Sequence, residues 1–162
     1  MSIPTCRRSL PVLPLALLAL AACSGAGPVE LDAPRPTGET AAVCRDLHAV
    51  LPGEVEGQRR GTPAEETPYA AFWGDPPIVL RCGVPRPQVL TPGSDTYDPL
   101  SDAVVVNDVS WLLEEEPDGY RFTTTERVVY VEVVVPGAYA PEVGVLVDLA
   151  EAVATAVEEK PL

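Results

Sequence analysis

The 162-residue sequence predicts an α+β two-layer sandwich: about four mainly antiparallel strands, with an N-terminal and a C-terminal helix on one face. Apolar residues recur at helical spacing near both ends of the region beyond residue 40. The segments between them alternate apolar and polar residues or run β-branched, and short turns join successive strands, which favours antiparallel neighbours.

Val43, Cys44, Leu47, Val50 and Leu51 are spaced by three and four, which predicts an amphipathic helix over 40–51 stopped by Pro52-Gly53. Residues 52–77 are crowded with proline and glycine and read as ordered loop. In the strand Ile78 to Gly83, two-residue alternation sets Ile78, Leu80 and Cys82 on one face and Val79 and Arg81 on the other. After a Pro-rich stretch over 85–99, the β-branched run 104–113 reads as one strand. Residues 114–119 read as a turn closed by Pro117-Asp118-Gly119, and 120–124 as the returning strand. A fourth strand covers 128–135, with Val129, Val131, Val133 and Val135 on one face and Tyr130 and Glu132 on the other. Val145, Leu149, Val153 and Val157 recur every four residues and give the C-terminal helix.

Charge narrows the function. The chain has 24 acidic against 11 basic side chains, a formal net charge of -13, so no nucleic-acid partner is expected of it. Arg7 and Arg8 precede an uncharged apolar run from Leu10 to Ala22, the layout of a signal peptide over 1–22. As a helix that run reaches only about 20 Å, short of the roughly 30 Å a membrane span requires.

Leu20-Ala21-Ala22-Cys23, followed by Ser24 and Gly25, resembles a bacterial lipobox. The resemblance implies that Cys23 takes a thioether-linked diacylglyceryl group and becomes the new N-terminus. Ordinary cleavage is the alternative, since Ala19-Leu20-Ala21 also fits a small-x-small site. Lipidation would leave Cys44 and Cys82 as one pair in an oxidising compartment, whereas ordinary cleavage would strand a third thiol. Both cysteines also sit on the apolar faces of their elements, as a helix-to-strand disulfide requires. On this reading 23–39 is the lipidated cysteine with a Pro-containing tether, and 40–162 is one extracytoplasmic domain on the outer face of the cytoplasmic membrane.

The block from Trp73-Gly74-Asp75-Pro76-Pro77 through Ile78-Val79-Leu80-Arg81-Cys82-Gly83 is distinctive. So are the Cys44-x-x-Leu47 helix and the strand from Arg127 to Pro136. Together they resemble a family of small actinobacterial secreted lipoproteins classed as a domain of unknown function. The resemblance spans roughly residues 40 to 157 and implies an extracytoplasmic place in a Gram-positive-type envelope. It implies no activity.

Chemistry has to be sought in the residues. His48 is the single histidine, no G-x-S-x-G turn accompanies it, and neither phosphate-loop pattern occurs, so no catalytic residue, cofactor or metal is assigned. Asp95, Asp98, Asp102, Asn107 and Asp108 could offer oxygen to a hard cation, although an acidic solvated loop explains them as well. The candidate binding set is Arg81, Arg121, Thr123, Tyr130 and Glu132 on the sheet face away from the helices, with Trp73 and Asp75 entering at one end. Two classes of function remain. One is a non-catalytic module that binds an envelope protein or cell-wall ligand, and is preferred; the other is a small envelope hydrolase using carboxylates such as Asp75.

Overall fold

The structure is a computed structural model and describes residues 28–161; the expected signal peptide and Cys23 lie outside the described residues. Helix α1 (Gly38–Val50) buries Ala41, Cys44 and Leu47, the phase the apolar spacing dictates. Strands β1 (Glu54–Val55) and β2 (Gln58–Arg59) form a small hairpin, followed by β3 (Ala70–Trp73) and β4 (Ile78–Cys82). Next come β5 (Ala103–Val106), β6 (Val109–Glu116), β7 (Gly119–Thr124), β8 (Val131–Pro136) and helix α2 (Gly144–Ala156). The main sheet has six strands in the order β3-β4-β8-β7-β6-β5, all antiparallel to their neighbours.

The class is therefore α+β around an antiparallel sheet, but the expected count of four strands is corrected to six. The segment read as loop contains β3, an element too short to announce itself between prolines. The run 104–113 is a hairpin rather than one strand. Asn107 (φ 46°) and Asp108 (φ 65°) reverse the chain in the left-handed region that short polar side chains tolerate, which is the geometry of a tight two-residue turn. Glu114 to Glu116 are strand residues at the end of β6, not part of the turn.

The core is one cluster. Cys44, Leu47 and Leu51 meet Ile78, Leu80, Val131, Val133, Phe122 and Trp111 of the sheet and Val145, Leu146, Leu149 and Val153 of α2. Pairing in register puts Leu80, Val133, Phe122 and Leu113 side by side in one row of this apolar face. A disulfide between Cys44 and Cys82, with the Cα atoms 5.5 Å apart, joins α1 to β4. It is the pair the two apolar faces predict.

Residues 28–36, counted with the tether on composition, make definite contacts with the domain. Val29 bridges Pro63 and accepts a hydrogen bond from the Ala64 N–H at 2.9 Å. A side chain at Gly83 (φ 83°) would collide with Pro36, so glycine there lets this segment pass close to β4.

Candidate functional site

The opposite row of the sheet carries the polar chemistry. Register aligns Ala70, Arg81, Glu132, Thr123, Leu112 and Ala103 across all six strands, and in the next row Arg121 pairs with Glu114. Two-residue alternation explains why Arg81 and Glu132 point opposite to Leu80 and Val133. Residues of the segments Asp32–Pro34 and Val84–Gln88 line, with Arg81, Glu132, Arg121, Thr123 and Glu114 of the sheet, an open cleft of about 360 Å³.

Glu132 is buried, and its carboxylate sits between two guanidiniums. Arg81 donates from Nε to Glu132 Oε1 at 2.7 Å and pairs with the same oxygen through a terminal nitrogen. Arg121 Nε lies 3.6 Å from the other oxygen, and its terminal nitrogen is 2.6 Å from Glu116 Oε1. Among the described residues the remaining arm of Arg81 meets only Asp32, at 3.5 Å, and that side chain is 99% exposed. Glu132 thus holds the Arg81 fork by hydrogen bonding, whereas Arg121 stands beside it without a hydrogen bond, its Nε unpartnered among the described residues and its terminal nitrogen turned to Glu116.

Glu114 is the unexpected member. Read from sequence as part of a solvated acidic turn, it is half-buried on the cleft floor. Burial raises its pKa above the ordinary glutamate range, Arg121 opposes that, and Glu116 and Glu132 reinforce it. A carboxyl with a raised folded pKa costs stability when ionised. The cost is present above the folded pKa and vanishes as pH falls to the unfolded value. Glu114→Gln is therefore expected to raise the thermal midpoint at pH 7, with the gain shrinking to nothing on acidification through the ordinary glutamate range. Thermal melts from pH 7 down to pH 3 check this; a lower midpoint at pH 7 would refute it.

The structure separates the other candidates from this cleft. Trp73 is fully buried in the core, and its Nε1 donates to the Pro52 carbonyl at 3.0 Å; its phase in β3 sends it inward with Ala71. Asp75 is exposed in the β3–β4 turn, next to Pro76, whose carbonyl accepts the Tyr139 hydroxyl at 2.6 Å. Tyr130 lies just before β8 and accepts a hydrogen bond from Lys160 Nζ at 3.0 Å. Only Arg81, Arg121 and Glu132 of the named set come together, with Thr123 beside them.

Other hollows offer less. A wide depression of about 750 Å³ at the β6–β7 turn is lined by Glu115, Glu116, Asp118 and Glu142 and by no cation. His48 borders another of about 530 Å³ with Arg60; burial, then the Arg60 charge, push its pKa below the usual histidine value. No serine or cysteine lines that hollow. Among the described residues no three metal-ligating side chains converge.

The fold and site thus define a small disulfide-linked α+β domain with an arginine–glutamate cleft on its sheet. The chain belongs to the family described as a protein of unknown function, DUF3515, whose model matches residues 10–162. No curated protein and no solved structure matches the chain at a significant level.

Proposed function

We propose that this chain is an actinobacterial envelope lipoprotein, held on the outer face of the cytoplasmic membrane through lipidated Cys23, and that its domain is a non-catalytic binding module. The lipobox-like Leu20-Ala21-Ala22-Cys23 supports the anchor. The sheet cleft supports recognition, and it is the observation that carries the binding reading. On this view both helices cover the apolar row of Leu80, Val133 and Phe122, and Arg81, Arg121 and Glu114 are the groups the cleft offers to an envelope protein or cell-wall ligand, with Glu132 and Thr123 buried beneath them. Both oxygens of Glu132 face guanidiniums, which suits orientation of donors better than proton transfer. The hydrolase alternative draws on Glu114, a cleft-floor acid whose pKa burial raises above the ordinary glutamate range.

Two experiments test this. Cys23→Ala should remove the lipid adduct from the intact mass and release the protein from membranes; a substituted protein that stays membrane-bound refutes the anchor. For the cleft, Arg81→Lys keeps a positive charge beside Glu132 but loses the two-pronged donor geometry. Crosslinking in the native envelope should then capture partner at least about tenfold less well, while unfolding free energy falls by only about 1–3 kcal/mol for the weakened bond to Glu132, so the chain stays folded. Unchanged capture would remove Arg81 from any recognition role.

A further inference from the structure

We propose that β5 is a docking edge, to which an extended basic segment of a partner protein adds as a further strand. The two ends of the six-stranded sheet differ. At β3 the outer edge is already occupied: the Gly61 N–H donates to the Phe72 carbonyl at 2.9 Å, the Gly74 N–H to Arg59, and Arg60 bridges Trp73. At β5 nothing among the described residues takes that place.

The register says which groups are on offer. The Leu113 N–H donates to the Asp102 carbonyl at 2.9 Å, which makes Asp102 and Leu113 a hydrogen-bonded pair. Antiparallel alternation then makes Val104 with Trp111 and Val106 with Val109 the next bonded pairs. Ala103 and Val105 therefore turn both their N–H and C=O groups away from β6, toward the open side. Their side chains are exposed as well, Val105 to 67%, and Leu100 just before the strand is 88% exposed.

Sheets normally guard such an edge with lysine, proline, a bulge or a cover. Ala103-Val104-Val105-Val106 has no charge and no proline, and Val105 is among the few large apolar side chains exposed in the described residues, while Val104 and Val106 face the core. What flanks it selects the partner. Asp98, Asp102 and Asp108 are exposed at its two ends, and the whole chain carries a formal charge of -13. A second copy of the same chain would bring the same charges against these; a lysine- or arginine-bearing strand would meet them with opposite sign. Main-chain pairing would supply the affinity and the aspartates the choice.

The test uses the full chain and two acetylated hexapeptides, one alternating lysine with valine and one alternating glutamate with valine. The lysine peptide should bind saturably and slow amide exchange at Ala103 and Val105, and the glutamate peptide should not. Val105→Pro deletes one outward N–H without touching the ladder to β6 and should weaken binding at least about tenfold, while Val105→Thr, which keeps the N–H, should stay within about threefold. Val105→Lys guards against misfolding of the proline variant: it keeps the N–H, sets like charge against the peptide, and should also bind weakly. The proposal is overturned if neither peptide binds, if both bind equally, if Val105→Pro and Val105→Lys bind as the parent does, or if sedimentation shows the chain pairing with itself through this edge.

Discussion

Replacing both Cys44 and Cys82 with alanine is expected to lower the unfolding free energy by about 4 kcal/mol and the thermal midpoint by roughly 10–15 °C. The bond spans a sequence separation of 38, so the oxidised denatured chain carries a large closed loop whose entropy is already spent. Both sulfurs are buried, so the double alanine variant also leaves unfilled space, and reduction of the parent protein isolates the loop from the cavity. Denaturant unfolding with and without reductant supplies the measurement. The reduced form should also show a steeper denaturant dependence, because its denatured state exposes more surface. A loss below about 1 kcal/mol on reduction would mean that packing of α1 on β4 carries the fold without the closed loop.

What could be read in advance was whatever a local period encodes. The phase of α1 and the alternation of β4 each placed one cysteine on an apolar face, and the two readings were independent, which is why their pairing was legible. Arg81, Arg121 and Glu132 were legible for the same reason, each being an odd polar residue in a strand whose other face is apolar. Trp73 was not. Ala70 to Trp73 are buried on both faces, the inner by the core and the outer in part by residues around Gly61, whose Cβ position Phe72 occupies. A strand covered on both sides shows no alternation, so neither its existence nor the direction of Trp73 could be fixed. Glu114 to Glu116 failed differently. Three adjacent acids look like a solvated turn, yet in β6 Glu114 and Glu116 share a face with Arg121 while Glu115 takes the other. Asn107 and Asp108 hid a turn inside a β-branched run because neither is glycine.

The second large effect follows from that buried tryptophan. Trp73→Ala should cost about 3–5 kcal/mol, since it removes one of the largest fully buried side chains of the domain. The ring closes the end of the sheet where β3 meets the hairpin: its N–H holds the Pro52 carbonyl, and the Arg60 guanidinium lies 6.0 Å from its centre. Deleting it leaves the Pro52 carbonyl without its donor and strips Arg60 of its stacking surface, so the hairpin β1–β2 should loosen before the rest of the domain. Trp73→Phe keeps most of the apolar volume but loses the N–H with the rest of the five-membered ring, and should cost about 1–3 kcal/mol. Hydrogen exchange locates the effect. In Trp73→Ala the amides of Arg60 and Gly61, which bond to Gly53 and Phe72, should exchange much faster, while those of β6 and β7 follow only the global loss. If Trp73→Ala instead left stability within about 1 kcal/mol of the parent, the tryptophan would not be a core residue. Its place would then be on the recognition face, where its position just ahead of the Arg81 strand first suggested it.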